Sequence, residues 1–227
     1  PDVGAMGTAT PAPTAALDPR FPRAFTGAPV FAPQDNLNTD ALYPGKYTYQ
    51  DDITPARQAE VVMENYDPSL AASIAQERAE RASKQAASSI VLVSGYNFGT
   101  GSSREQAATA LKYAGVPVVL AGSFSDVFKR NAINNGLICL QCPELVDDLT
   151  SAYAKDGKRG AGGRQPGELS VWLRDATVSL DNSTGTVTLL HSDGSEKRYT
   201  TRPAGIGRSI QDMYVAGGME SWVQQRL

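Results

Sequence analysis

The chain has 227 residues, a formal net charge of −3 and 41% hydrophobic residues, which suffices for one sizeable buried core. It has no dense cluster of Lys and Arg, so nucleic acid is not expected as its main partner. No apolar run approaches the roughly 20 residues that span a bilayer, so no membrane partner is expected either.

The N-terminal segment differs in composition from the rest of the chain. Residues 1–24 are rich in Pro, Ala and Thr and show no hydrophobic periodicity. This pattern predicts a flexible leader or linker, which can include residues left by cloning, and order is expected to begin near Phe25. Residues 25–227 are expected to form one domain.

Between residues 27 and 153, strand patterns and helix patterns alternate. Short β-branched runs are typical of buried strands, and the segments between them repeat apolar residues at helical spacing. The predicted strands are 27–31, 89–93, 116–121 and 137–140. The predicted helices are 56–64, about 69–83, 106–114, 124–134 and 143–153. This βαβαβ order indicates a mainly parallel sheet with right-handed crossovers.

The C-terminal third has a different pattern. Residues 155–167 are rich in Gly, Lys and Arg, and we expect them to form a mobile loop. Two β-type segments, 169–180 and 186–198, are separated by turn residues and predict an antiparallel hairpin region, and two helices are expected at 206–215 and 219–225. The fold class is therefore predicted as α/β, with a mainly parallel core and an added antiparallel hairpin region.

The loop at residues 95–105 carries the most information about function, because it joins a predicted strand to a predicted helix. Its three glycines allow the backbone to approach a ligand closely, and Ser102 or Ser103 suits the N-cap of the following helix. Arg104 adds a forked donor that matches a carboxylate, so the loop predicts an anion site at the helix start. A capping serine beside a surface ion pair would explain the same four residues.

The whole loop, Asn97-Phe98-Gly99-x-Gly-Ser-Ser-Arg-Glu105, resembles the signature of the swivel domain of the aconitase superfamily. A second element, Asn36-x-x-Thr-Asp-x-x-x-Pro44, is similar to the one that opens that domain. The resemblance extends over residues 29–142 and implies one swivelling β/β/α domain. Further matching stretches are 65–68, 122–128 and 134–137.

The resemblance also implies a reaction and a set of site residues. Members of the superfamily are hydro-lyases that remove and add water reversibly across a carbon–carbon bond of a hydroxy acid. Ser102 matches the serine that acts as the base, and Ser103 and Arg104 match residues that hold substrate carboxylate. Thr39 and Asp40 match positions that line the same cleft from the opposite loop. The substrate would therefore be a tricarboxylic acid.

The cofactor implied by the family is a 4Fe-4S cluster whose cysteine ligands lie in another domain. The expected partners are therefore cluster-bearing aconitase-type domains, in the same polypeptide or in a large subunit, and no metal ligand is expected in this chain. Cys139 and Cys142 form only half of a zinc motif, and we interpret Cys139 as a small buried hydrophobe. The lone His191 is interpreted as a residue at an exposed strand end.

Within the superfamily, residues 131–143 and the long polar C-terminal section look most like the homoaconitase branch of fungi. That likeness implies reversible hydration of homoaconitate to homoisocitrate in lysine biosynthesis, with a mitochondrial location, and no activity without the cluster-bearing domains. The small subunit of 3-isopropylmalate dehydratase, from leucine biosynthesis and otherwise cytoplasmic, is an alternative. A non-enzymatic anion-binding module is another.

Overall fold

The computed structural model describes residues 16–50, 52–87, 89–153 and 169–227, and the predicted loop at 155–167 lies outside this part. The strands are β1 (Ala24–Ala32), β2 (Ser89–Ser94), β3 (Val118–Ala121), β4 (Ile138–Gln141), β5 (Val171–Trp172), β6 (Ala176–Asp181), β7 (Thr186–His191) and β8 (Glu196–Thr200). The helices are α1 (Thr39–Leu42), α2 (Pro55–Glu60), α3 (Leu70–Ser83), α4 (Gln106–Tyr113), α5 (Asp126–Asn134), α6 (Pro143–Tyr153), α7 (Arg208–Ala216) and α8 (Met219–Gln224), with a 3-10 turn at Gly45–Tyr47.

The predicted elements are present, with differences at their ends and with the predicted 169–180 segment divided into β5 and β6. The start of α2 is as expected, because Pro55 occupies its first turn and the Thr54 side chain accepts the amide of Arg57 at 3.1 Å. Its end at Glu60 comes four residues earlier than predicted, since the chain turns at Met63 with a φ of 56°. The short α1 and the 3-10 turn were not predicted.

All the strands belong to one sheet whose order is β4-β3-β2-β1-β6-β7-β8. The pairs among β1, β2, β3 and β4 are parallel, and those among β6, β7 and β8 are antiparallel. The free edge of β1 is shared, because β6 pairs with its first half and β5 with its second. The predicted α/β fold with a parallel core and an antiparallel addition is confirmed.

The sheet separates two apolar cores. Successive residues of β2 point to opposite faces: Ile90 and Leu92 pack under α3, α4 and α5, whereas Val91 and Val93 pack with α6 and the antiparallel strands. The parallel strands are therefore buried on both faces. Within the described residues, no helix combines the length and the apolar character needed to cross a bilayer.

The segment that leads into β1 is already part of the fold. Asp18 and Phe21 are only 2% and 4% exposed, and the Asp18 carboxylate accepts hydrogen bonds from both Arg20 and Arg208. The Asp18 amide also donates to the Gln211 side chain in α7 at 2.7 Å. Order therefore begins before Phe25, because these polar contacts connect the segment around Asp18 to α7.

Candidate active site

Two loops meet at the carboxyl ends of β1 and β2. The loop after β1 (residues 33–44, which includes the short helix α1) and the loop after β2 (residues 95–105) are joined by backbone hydrogen bonds from Gly99 to Leu37 at 2.7 Å and from Thr39 to Thr100 at 2.9 Å. The carboxyl ends of neighbouring parallel strands form the usual ligand-binding edge of an open α/β sheet. The two sequence motifs, more than fifty residues apart, are therefore brought together at this edge.

The 95–105 loop is held from below by an aromatic cluster. Phe98 is fully buried and contacts the rings of Phe124 and Phe128 with centroid distances of 5.9 and 5.2 Å. Gly99 adopts a φ of 76°, and a Cβ there would lie 2.2 Å from Cγ of Phe128. Only glycine satisfies both conditions, so this residue fixes the height of the loop above the core.

The hydroxyl groups of Ser102 and Thr39 meet across the two loops. Their oxygen atoms are 2.8 Å apart, and either can be the donor. Ser102 is exposed, whereas Thr39, in the first turn of α1, is only 3% exposed. The Ser102 hydroxyl is therefore open to a ligand, and it is hydrogen-bonded to the buried Thr39 hydroxyl.

The prediction that Ser102 or Ser103 caps the following helix is wrong. The N-cap of α4 is Glu105, which makes no side-chain cap hydrogen bond, and residues 101–104 bend ahead of it. The Ser102 hydroxyl turns to Thr39 instead. In the described part of the chain, the backbone amides of residues 102–104 have no hydrogen-bond acceptor, so exposed donors remain at this bend.

Arg104 and Asp40 form the charged part of the site. The Arg104 Nη1 atom donates to Asp40 Oδ1 at 3.1 Å and to the Tyr43 carbonyl at 2.7 Å. Arg104 is 17% exposed and Asp40 is 53% exposed. The hydrogen bond from the Gly45 amide, followed by those from Arg104 and Asn65, holds the pKa of Asp40 below its usual range, so this carboxyl stays ionised.

Two residues without a predicted role also belong to the site. Asn65 donates to Asp40 Oδ2 at 2.9 Å, and Asn131 in α5 donates to the Ser103 carbonyl at 3.1 Å. The sequence carries a signal for both, since Asn65 opens one of the stretches that resemble the superfamily and Asn131 opens the stretch that resembles its homoaconitase branch. The five predicted residues, Thr39, Asp40, Ser102, Ser103 and Arg104, lie on these two joined loops.

The cysteines lie apart from this site. Cys139 belongs to the core on one side of the sheet and Cys142 to the core on the other. Burial raises the pKa of Cys139, and burial raises that of Cys142 to about 11. His191 stands at the end of β7, with Nδ1 3.6 Å from Asp175 Oδ2. Within the described residues, no three His, Cys, Asp or Glu side chains are grouped to hold a metal ion.

The fold and the site together define an α/β domain that gathers hydroxyls, free amides and a guanidinium at the carboxyl edge of its parallel strands. Residues 5–145 match the family described as Aconitase C-terminal domain. The chain belongs to this family, and the predicted resemblance to the aconitase superfamily is confirmed.

Similar proteins agree with this assignment. A protein of Mycosarcoma maydis named "Homoaconitase, mitochondrial" is 58% identical over 212 residues, which are 91% of this chain and 28% of that protein. A protein of the same name from Cryptococcus neoformans is 52% identical over 210 residues, again 91% of this chain and 28% of the relative. The chain thus spans little more than a quarter of the length of these relatives.

Among solved structures, the 3-isopropylmalate dehydratase of Methanocaldococcus jannaschii has a similar fold. The TM-score is 0.60 and the sequence identity 27%, and the match covers 89% of this chain and 95% of that one. The similarity therefore extends over nearly the whole of both chains.

Proposed function

We propose that this chain is the C-terminal swivel domain of a homoaconitase-type hydro-lyase, which hydrates homoaconitate reversibly to homoisocitrate in lysine biosynthesis. The observation that carries the proposal is the meeting of the Ser102–Thr39 hydroxyl pair with the Arg104–Asp40 ion pair on two joined loops. The identity of 58% with a homoaconitase supports this substrate over isopropylmalate, whose dehydratase is 27% identical.

Ser102 is the proposed base, which takes the proton from the carbon next to a substrate carboxylate. A serine hydroxyl is a weak base and needs stabilisation of its deprotonated form. The Thr39 hydroxyl at 2.8 Å can donate to that oxygen, and the positive charge of Arg104 lies two residues further along the chain. The amides of residues 102–104, which make no hydrogen bond within the described part of the chain, provide donors for developing negative charge on the substrate.

Arg104 and Ser103 are the proposed ligands of a substrate carboxylate. Arg104 uses one guanidinium nitrogen for Asp40 and the Tyr43 carbonyl, which leaves its other N–H groups for an anion. The Asp40 carboxylate accepts hydrogen bonds from Arg104, Asn65 and the Gly45 amide. We therefore propose that Asp40 orients Arg104 towards the substrate. Thr39 is proposed to line the cleft and to hold the Ser102 hydroxyl.

The proposed enzyme also contains a 4Fe-4S cluster, which would supply the Lewis acid for the departing hydroxyl. The described residues do not fit as its ligands, because both cysteines are buried on opposite faces of the sheet and no other suitable group is present among them. The cluster would be ligated by cysteines outside this chain, in partner domains that form the larger part of the relatives. Their names support a mitochondrial location.

The test is an assay of the complete protein that contains this chain, with homoaconitate, 3-isopropylmalate and cis-aconitate as substrates. Homoaconitate is expected to give the highest kcat/KM. The Ser102→Ala variant is expected to lose about 10³-fold or more in kcat with little change in substrate affinity, because a base acts in the transition state.

Three outcomes would contradict the proposal. Preferred turnover of isopropylmalate would favour the alternative hydratase, and unchanged turnover in Ser102→Ala would remove the serine from catalysis. If the complete protein bound tricarboxylates without converting any of them, the anion-binding module would be favoured. Thermal unfolding of the Ser102→Ala variant serves as the folding control, since this exposed side chain contributes little to the core.

A further inference from the structure

Asn65 lies outside the two loops, yet its side chain is bound to one of them. It is exposed, and its Nδ2 donates both to the Asp40 carboxylate at 2.9 Å and to the Asp40 backbone carbonyl at 3.1 Å. It follows α2 in a turn that is itself anchored, because the buried Met63 donates its amide to the Leu42 carbonyl at 2.8 Å. The neutral side-chain amide of Asn65 therefore binds both the side chain and the backbone of Asp40.

The turn is held in an uncommon conformation. Met63 has a φ of 56° although it carries a side chain that is fully buried. A non-glycine residue in the left-handed region costs free energy and persists only where the surroundings determine it. The amide of Met63 donates to Leu42 and the side chain of Asn65 donates to Asp40, and both acceptors belong to α1. The turn at residues 63–65 is therefore bound to α1 at two places.

We propose that Asn65 is a positioning residue of the active site, which orients Asp40 so that Asp40 in turn aims Arg104 at a substrate carboxylate. This role rests on the function proposed above. Asn65 has no contact with Arg104 or Ser102 among the described hydrogen bonds, so its influence has to pass through Asp40. The carboxylate uses Oδ2 for Asn65 and Oδ1 for Arg104 and the Gly45 amide.

The choice of an amide has a chemical reason. An ionised carboxylate accepts hydrogen bonds only, so its neighbour has to donate. Asparagine donates without adding a positive charge, which leaves Arg104 as the cation that faces the ligand. Aspartate has nearly the same shape but would present a second acceptor with a like charge to Asp40.

The first experiment measures the pKa of Asp40 by NMR in the chain itself, for the wild type and for Asn65→Asp and Asn65→Ala. Both variants are expected to raise this pKa, and Asn65→Asp is expected to raise it more, because the lost hydrogen bond is replaced by repulsion. Gln50→Ala is the matched control, since Gln50 donates to the nearby Lys46 carbonyl at 3.2 Å without touching Asp40. An unchanged pKa in Asn65→Asp would overturn the proposal.

The second experiment places the variants in the complete enzyme. Asn65→Asp is expected to raise KM about tenfold and to change kcat less, because it loosens the carboxylate ligand and leaves Ser102 in place. Asn65→Ala is expected to raise KM little further when Asp40→Ala is already present, since Asn65 then has no Asp40 carboxylate to orient. Fully additive effects of the two substitutions on KM would show that Asn65 does not act through Asp40.

The two experiments separate this role from the proposed reaction. If the complete protein proves not to be a hydratase, the pKa of Asp40 in the chain still reports whether Asn65 controls that carboxyl. If the hydratase is confirmed while Asn65→Asp leaves both the pKa and KM unchanged, only the positioning role is lost. A substitution that merely altered the surface would change neither quantity.

Discussion

The parallel and antiparallel halves of the sheet share β1 but have different surroundings. The strands β2, β3 and β4 are covered on both faces, and the loops that leave β1 and β2 carry the candidate site. The strands β6 and β7 alternate buried and partly exposed residues, and β8 carries surface ion pairs such as Lys197–Asp148. The first half gathers the polar groups of the candidate site at one edge, whereas the second half carries its ion pairs on the surface.

The largest difference between the halves is expected in the free energy of unfolding when one of two glycines with similar φ angles is replaced by alanine. Gly99→Ala is expected to lower the free energy of unfolding by about 2–4 kcal/mol, because the new Cβ would overlap Phe128 and the φ is positive. Gly194 in the hairpin turn has a φ of 85° and nothing within 4 Å of the position of a Cβ. Gly194→Ala is therefore expected to cost only about 1 kcal/mol.

Urea denaturation of both glycine variants measures this difference. Equal losses would mean that packing under the candidate site is no tighter than in the hairpin turn, and the contrast between the two halves would then fail at the level of stability.

Two arginines test the same contrast for binding. Arg104→Gln is expected to weaken the affinity of the chain for citrate, a representative tricarboxylate, by about 10- to 100-fold, because a charge-assisted hydrogen bond is lost. Arg198→Gln is the matched control, since Arg198 is 66% exposed and pairs with Glu196 on β8. Calorimetric titration of both variants checks this, and similar affinities would remove Arg104 from the anion site.

Asp18 joins the N-terminal segment to α7. Hydrogen bonds from the Arg20 side chain and backbone lower the pKa of Asp18 from its ordinary value to about 2. A lowered pKa in the folded state stabilises the fold above the ordinary value, and this contribution is lost as the pH falls from about 4 towards about 2. Unfolding midpoints in urea are therefore expected to fall across that range.

Asp18→Asn is expected to flatten this decline, since the variant side chain does not titrate. Midpoints that fell equally steeply in both proteins would show that other carboxyls control acid stability.

The smallest effect is expected at an exposed pair of the antiparallel half. Lys197→Ala removes the ion pair with Asp148, in which the two side chains are 62% and 41% exposed. Solvent screens such pairs, so the free energy of unfolding is expected to change by less than about 1 kcal/mol. A thermal melt that showed a larger loss would mean that surface charges hold this half of the sheet together.

The order of strands and helices in the parallel half was predictable because each element carries its own pattern. The apolar run at 89–93 and the helical spacing at 106–114 depend only on neighbouring residues. The position of the hairpin strands beside β1 was not predictable in this way, since it depends on which edge of the sheet is left open. The four-residue α1 is too short for periodicity to mark it.

The candidate site shows the same division. Five of its residues were predicted from two motifs, but the ion pair joins Arg104 to a residue 64 positions away, and spacing in the sequence does not measure such a distance. The cap was assigned to a serine because local preference favours it. The structure uses that hydroxyl for a contact with Thr39, which shows tertiary geometry overriding a local preference.

Cys139 and Cys142 lie in cores on opposite faces of the sheet, which affects how their thiols would react near an iron–sulfur cluster. Thiols with raised pKa values inside separate apolar cores carry little thiolate, which is the form that captures iron and reacts with peroxide. In the proposed enzyme, this domain would neither compete for metal during cluster assembly nor form an internal disulfide under oxidative stress.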